Sequence, residues 1–454
     1  MTFSGYSEYK DSGEEWLGKV PKHWSIAPLK SSASCNDTVL PESTDDEYEI
    51  DYVEISDVNE ISGITGSTRY KFSDAPSRAR RMLRHGDVLI STVRTYLRAI
   101  APVVSPPENL IASTGFAVVR PREDILDGTF LGYLLRAEWW ISQIIARSVG
   151  VSYPAINASD LIGLSVPLPT WHEQTRIARF LNHETARIDA MIEEQQRLIE
   201  LLKEKRQAVI SHAVTKGLDP TVTMKDSGVE WLGAVPAHWE RKRLKNISPF
   251  IAVGIVVNPS EFVAEDGLPF IYGGEVKEGV IEVDKARKIS PEHSLRNRKT
   301  MLEADDLVTM RVGYPGLTAV VPPSCEGGNC ASVMLVKRGN FDSRWLCAVM
   351  NSRLVRQQVE VVQYGAAQKQ FNIADAVEFW MYKPPLDEQS AIAQFVAEQS
   401  LIIDDLSAES EKSKALLQER RSALISAAVT GKIDVRGWKP TLRELSRELA
   451  EEAV

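Results

Sequence analysis

Hydrophobic and polar positions along this chain follow two periods, and the longer period dominates two stretches. From Trp171 to about His212 no proline or glycine interrupts a run of Glu, Gln, Arg, Ala, Leu and Ile. These residues favour a helix, Ile slightly less than the rest. Within the run Ile188, Ile192, Gln195, Ile199, Leu202, Arg206 and Val209 recur in alternating steps of four and three, the spacing of a coiled-coil seam. Met191, Leu198, Leu201 and Ala208 widen the stripe, so this helix is expected to bury more than one face. A second run, about Asp387 to Val429, carries Ile392, Phe395, Ile402, Leu406, Leu416 and Leu424, with a more polar middle at Ser407, Ser410 and Ser413. Pro167, Pro169, Pro384 and Pro385 precede the two runs and Gly217 and Gly431 follow them, the punctuation expected at helix ends. At about 1.5 Å per residue such helices span roughly 60 Å, enough for an antiparallel pair to act as a rigid spacer.

The rest of the chain is patterned on shorter units. Strand-like runs at residues 87 to 93, 115 to 119, 306 to 310 and 332 to 336 are set off by glycine and proline turns. Short helices are predicted near Phe130 to Ala146 and Trp345 to Val361. The expected fold class is therefore mixed α/β, with two globular modules separated by two long antiparallel coiled-coil helices.

An internal repeat organises these elements. Residues 10 to 24, KDSGEEWLGKVPKHW, recur at 225 to 239 as KDSGVEWLGAVPAHW, an offset of 215 residues. The same offset aligns Glu173-Gln174 with Glu388-Gln389, Phe180 with Phe395, Arg206 with Arg421, and Ala213-Val214-Thr215 with Ala428-Val429-Thr430. Residues 40 to 150 and 255 to 365 match only sporadically. A frame kept alike should do one job twice, and contents that diverged should do two different jobs. Trp16, Trp24, Trp231 and Trp239 in the frame are expected to be core anchors, because aromatic side chains bury large areas.

Composition narrows the chemistry. With 43% hydrophobic and 25% charged residues in 454, the chain has the make-up of a globular protein of several folding units. Cys35, Cys325, Cys330 and Cys347 are too few and too irregular for a disulfide framework. Cys325 and Cys330 stand at a zinc-like spacing, but only His293 lies near them in sequence, so no metal site is expected. The first ten residues hold no apolar signal core and no apolar run approaches a membrane span, so a reduced cytoplasmic setting is expected. Phosphate-cradling, dinucleotide, nucleophile-elbow and zinc-protease motifs are absent. Asp305-Asp306 and Asp404-Asp405 lack a third convergent ligand and are expected to be solvated charges. Nothing in the sequence argues for catalysis or for a bound cofactor.

Charge points elsewhere. A net charge of −9 opposes non-specific coating of nucleic acid, yet the charge is segregated. Residues 1 to 60 hold 14 acids against 4 bases, whereas residues 61 to 120 hold nine bases against three acids. Those bases are Arg69, Lys71, Arg78, Arg80, Arg81, Arg84, Arg94, Arg98 and Arg120. A weaker second-half counterpart comprises Lys285, Arg287, Lys288, Arg296, Arg298, Lys299 and Arg311. Basic groups of this kind supply phosphate affinity, and Arg, Gln, Asn or Ser at base edges supply sequence discrimination.

The repeated K-D-S-G-x-E-W-L-G-x-V-P-x-H-W, the E-Q-x-x-I-A-x-F at Glu173 and Glu388, and the R-x-A-x-I-S-x-A-V-T at Arg206 and Arg421 resemble the specificity subunits of type I restriction–modification enzymes. The resemblance covers nearly the whole chain. It implies two target-recognition domains, at residues 1–170 and 216–385, a central long helix at 171–215, a C-terminal long helix at 386–430 and a tail at 431–454. It also implies a non-catalytic subunit that recognises an interrupted double-stranded DNA target and docks two adenine-methyltransferase (modification) subunits, optionally with restriction subunits. S-adenosylmethionine would then belong to the modification subunits, and ATP and Mg to the restriction subunits. The implied DNA-binding residues are Arg94, Tyr96, Arg98, Ser152 and Tyr153 in the first half, and Arg311, Tyr314, Gln368, Lys369 and Gln370 in the second, with Gly313 in the same loop. The first half reads Val-Arg-Thr-Tyr where the family usually has a short Arg-Val-Gly loop, and its second loop lacks a Gln or Lys. A coiled-coil scaffold without sequence discrimination is the rival from a different functional class. A self-contained nuclease-methyltransferase is disfavoured by the missing cofactor motifs.

Overall fold

A computed structural model describes residues 4–59, 62–366 and 368–439. The chain forms two units, residues 1–195 with 412–454, and residues 196–411. The second unit is thus a continuous stretch of chain, whereas the first joins the two ends. Of the tail expected at 431–454, residues 440–454 lie outside the described residues. Its beginning packs into the first unit: Asp434 N donates to Ser4 O (2.8 Å), Val435 is buried, and Trp438 meets Phe180 edge-on at 5.6 Å.

Each unit contains two four-stranded sheets. In the first unit an antiparallel sheet runs in the order Ile100–Pro102, Val88–Ser91, Phe116–Pro121, Ala33–Cys35. The other sheet runs Thr68–Lys71, Glu49–Val53, Leu110–Ser113, Ala79–Met82, its middle pair parallel. The second unit repeats this with Thr318–Val320, Leu307–Thr309, Met334–Val336, Ile251–Val253, and with a sheet in which Leu268–Ile271 and Asn329–Cys330 pair in parallel. The central strand of the first unit, Val88–Ser91, is buried throughout and apolar up to Ser91, because both its faces are covered. Val88 and Ile90 join the cluster of Trp24, Phe130 and Trp140, while Leu89 joins Val118 and Ala101 on the other side. Leu307 and Val308 are divided in the same way in the second unit.

Both long helices are present, Trp171–Lys216 and Leu386–Val429. Each unit contains a piece of both, running antiparallel. In the first unit Ile177, Phe180 and Leu181 share a core with Ile425, Ala428 and Val429, and Arg421 Nε donates to Asp189 Oδ1 at 2.7 Å. In the second, Ile210 and Val214 share a core with Ile392 and Ala393, and Arg206 pairs with Asp404 at 2.7 Å. The buried stripe is narrower than the sequence predicts. Ile199 and Leu202 are buried, but Leu198, Leu201, Ile402, Leu406 and Leu416 are exposed. Each predicted shorter helix is in fact two, Gly128–Leu135 with Glu138–Arg147, and Ser343–Asn351 with Arg353–Val362. At the second break the Ser352 hydroxyl donates to Val349 O (2.6 Å), the local side-chain bond by which serine competes with a continuing helix.

The repeated frame is a joint. The motif forms a hairpin in each unit, with Tyr9 opposite Pro21 and Met224 opposite Pro236. Glu173 accepts from the Tyr6 hydroxyl (2.6 Å) and lies 2.9 Å from His23 Nε2. Glu388 lies 2.6 Å from His238 Nε2 and accepts from Trp239 Nε1 (2.9 Å). The next residue faces the globular part. Gln174 accepts from Asp127 N and donates to Ile125 O and Pro169 O, while Gln389 accepts from Asp342 N and donates to Pro384 O. The Glu-Gln pair therefore pins both the motif and the sheet-covering helices to the start of the long helix. Trp24 and Trp239 are core anchors, as expected. Trp16 is half-buried and stacks on Trp139 (4.1 Å, 11°). Trp231 departs from the expectation at 47% exposed, because Leu354 stands where the repeat offset would put a stacking partner.

Asp306 is a second correction. It is not a solvated charge but fully buried, accepting from Lys337 Nζ (2.8 Å), Glu303 N and Arg338 N (2.9 Å each). Asp87 is its counterpart at the start of the first unit's central strand, accepting from Arg120 Nη2 (2.7 Å) and Arg84 N (2.8 Å). Arg120 also pairs with Asp37. Burial alone would raise the Asp37 carboxyl, but bonds from Ser34 and Thr38 and the Arg120 charge hold it below its usual range.

Candidate nucleic-acid interface

At the C-terminal end of each central strand the chain enters a loop held by a hairpin from farther along the sequence. In the first unit Val93 and Val149 both bridge Ala155, and Ile156 N donates to Thr92 O (2.9 Å). In the second, Val312 and Tyr364 both bridge Gln370, and Phe371 N donates to Arg311 O (3.3 Å). Each hairpin turns on a glycine of positive φ, Gly150 (120°) and Gly365 (101°). A Cβ on Gly365 would stand 2.3 Å from Gln368 O and one on Gly150 3.0 Å from Tyr153 O, so only glycine fits. Beyond the hairpins Asn157 and Asn372 lead into short helices, Ala158–Ile162 and Ile373–Ala376.

The structure gathers most of the sequence-predicted residues onto these two edges. Arg94 is exposed, and its guanidinium lies over the Tyr153 ring at 4.9 Å. Ser152 is its exposed neighbour in the hairpin, and Tyr96 is 53% exposed in the loop. Arg98 is directed elsewhere, both of its terminal nitrogens donating to Glu138 at 2.7 Å. In the second unit Tyr314 is 76% exposed, Gln368 and Lys369 are exposed at the hairpin tip, and Gln370 is half-buried as a ladder residue. Gly313 N donates to Lys369 O (3.0 Å), and Arg311 Nε donates to Phe371 O (3.2 Å).

The bridges also set the correspondence between the two loops. Val93 and Val312 occupy the same place, and so do Thr92 and Arg311, so Arg94 corresponds to Gly313 rather than to Arg311. Both have positive φ, 51° for Arg94 and 93° for Gly313. The 215-residue offset holds in the hairpins but slips inside the loop-bearing sheet, where the two halves of the sequence share few anchors.

The basic block divides by role. Arg69 pairs with Asp51, Lys71 with Glu47, Arg98 with Glu138, and Arg120 with Asp87 and Asp37. Among the described residues Arg78, Arg80, Arg81, Arg84 and Arg94 form no salt bridge. Arg80 lies over the Phe72 ring at 5.0 Å, and Arg81 Nε is buried without a hydrogen-bond partner. Arg78 is close to the loop edge, since its carbonyl accepts from Thr114 N (2.8 Å) while Thr92 N donates to the adjacent Gly115 O (2.9 Å). In the second unit Lys285, Lys288 and Arg296 are paired with carboxylates, whereas Arg298 and Lys299 stand exposed on a cleft of about 500 Å³. These unpaired cations carry the charge available to an outside partner. Only the block, not its division, was visible in the sequence.

Among the described residues no group of three or more His, Cys, Asp or Glu is placed to hold a metal, and no helix is long and apolar enough to cross a membrane. Burial pushes the thiols of Cys330 and Cys347 up to about 12.

The geometry defines a class: a duplicated α/β protein in which a common helical frame carries two chemically different basic loop–hairpin edges. Residues 26–202 match the type I restriction modification DNA specificity domain. Over most of its length the chain is similar to specificity subunits of type I restriction enzymes. It is 25% identical to the putative type I restriction enzyme MjaX specificity subunit of Methanocaldococcus jannaschii, over 92% of this chain and 96% of that one. It is 22% identical to the type I restriction enzyme EcoBI specificity subunit of Escherichia coli, over 84% and 86%. Its fold is shared with a chain from a structure concerned with complex assembly and conformational transition of the type I R-M system (22% identity, 90% and 98% covered, TM-score 0.73). The HsdS subunit of Thermoanaerobacter tengcongensis shares it too (22% identity, 91% and 98% covered, TM-score 0.54).

Proposed function

We propose that this chain is the DNA-specificity subunit of a type I restriction–modification enzyme, recognising an interrupted duplex target with one half contacted by each unit. The observation that carries this is the duplicated loop–hairpin edge, built on the same bridges with different side chains: Arg94, Tyr96, Ser152 and Tyr153 against Arg311, Tyr314, Gln368, Lys369 and Gln370. A scaffold would have no use for two such edges kept in place and varied in chemistry. The long helices set the length of DNA left unread between the halves. Two adenine-methyltransferase subunits dock on the repeated frame and bring S-adenosylmethionine; restriction subunits, where present, bring ATP and Mg. The chain itself contributes recognition and no catalytic group, and works in the cytoplasm.

Selection of duplexes from a random pool by the chain with its modification subunits is expected to enrich two short constant blocks at a fixed separation. One continuous block, or none, would refute the proposal. The unpaired cations give a second readout. Each cation withdrawn from a phosphate makes the dependence of log affinity on log salt shallower by about one. Replacing Arg78 and Arg84, or Arg298 and Lys299, by alanine is expected to make the slope shallower by about one to two while leaving the selected sequence unchanged.

A further inference from the structure

The two units differ at one backbone position in the loop, the residue just past the bridging valine. The second unit has Gly313 there, and the first has Arg94 in the left-handed region (φ 51°, ψ 48°). A side chain in that region costs on the order of 1–2 kcal/mol, and glycine would adopt it freely. The first unit thus keeps an arginine where the backbone favours none. Its guanidinium has no salt bridge among the described residues, points to an exposed edge, and lies over the Tyr153 ring at 4.9 Å. Tyr153 is in turn fixed by a hairpin whose turn tolerates only glycine at 150.

From this we infer that Arg94 is the guanine-reading residue of the first unit and that Tyr153 is its positioning residue. The inference rests on the proposed function and gives the ligand of that site its chemistry. Guanidinium carries donors only, in a planar fork. Of the base edges in the major groove, guanine alone offers two acceptors, N7 and O6; adenine pairs an acceptor with a donor, cytosine offers a donor, and thymine one acceptor beside a methyl group. A phosphate would also accept such a fork, but it needs no fixed plane, and stacking on an aromatic ring fixes one. Gly313 has no side chain, so the second unit lacks this contact, and the two half-sites differ for a physical reason.

The test uses the chain assembled with its modification subunits, and methylation rates on duplexes in which each base pair of the selected target is replaced in turn. The half contacted by the second unit is identified as the one altered by Lys369→Ala. The other half is expected to contain a G·C pair whose replacement slows wild-type methylation about 10- to 100-fold. Arg94→Lys keeps the charge but not the fork, and is expected to lose most of that discrimination at that pair alone. Tyr153→Phe keeps the ring and is expected to behave as wild type, whereas Tyr153→Ala relaxes the same pair. Arg94→Gly removes the strain, and is expected to melt no lower than wild type while losing the same discrimination. Uniform slowing of Arg94→Lys on every duplex would mean a phosphate contact and overturn the inference, as would a first half without a G·C pair. A wild-type complex with no two-part target would instead refute the specificity-subunit proposal itself.

Discussion

Asp306→Ala is expected to destabilise the second unit by about 3–5 kcal/mol, the usual penalty for breaking a buried ion pair from one side. The carboxylate is fully buried and holds Lys337, whose side chain is only 16% exposed, together with two backbone N–H groups. Its loss strands the Glu303 and Arg338 N–H groups and takes the buried counter-charge from Lys337, though Lys337 Nζ keeps Met301 O (2.8 Å) and Glu303 Oε1 (3.1 Å), which softens the effect. Set against the roughly 5–15 kcal/mol typical of a folded domain, this is a large fraction. Urea unfolding of the full chain followed by tryptophan fluorescence checks it. The double variant Asp306→Ala, Lys337→Met is expected to recover part of the loss, because no charge is then left unpaired. An unchanged midpoint for Asp306→Ala would mean that the pair is solvated after all.

The second large effect concerns the frame. Trp24→Ala and Trp239→Ala are each expected to cost about 3–5 kcal/mol, as for other large side chains removed from a core, since both are essentially unexposed. The phenylalanine substitutions should separate them. Trp239 Nε1 donates to Glu388 Oε2 at 2.9 Å, whereas Trp24 Nε1 is buried with no partner, because Tyr6 and His23 occupy Glu173. Trp239→Phe therefore gives up a bond to a charged group, worth about 1.5–3 kcal/mol, and Trp24→Phe gives up none. Thermal melting of the two variants should rank Trp239→Phe clearly below Trp24→Phe. Equal melting would mean that the duplicated tryptophans share one environment.

Much of the fold follows from pattern, because its strongest determinants are local. The long helices begin and end within a few residues of their proline and glycine punctuation, and the repeat marks the joint formed by Glu173-Gln174 and Glu388-Gln389. What escaped the sequence depends on groups distant along the chain. Asp306 looks like any surface acid until Lys337 is brought across the sheet to meet it. Trp231 and Trp16 have the same sequence context, yet Trp16 stacks on Trp139 while Trp231, with Leu354 at the equivalent position, stays exposed. The candidate interface was legible, through the family resemblance, as two loops in each half, but neither the hairpins that form the second loops nor the correspondence between the halves was. A change in length inside the loop-bearing sheet moves Arg94 opposite Gly313, and only the bridges from Val93 and Val312 reveal it. Arg98 illustrates the limit of composition: it belongs to the basic block by count, and to Glu138 by geometry.

The most direct test of the central claim is to express the chain with its cognate modification subunit in a host lacking other methyltransferases and to map methylated adenines across the genome. The expected result is a single motif of two different short blocks at a fixed separation, with a modified adenine in each block. A contiguous motif, two identical blocks, or no methylation above the host background would contradict an account in which two unlike units each recognise one half of the target.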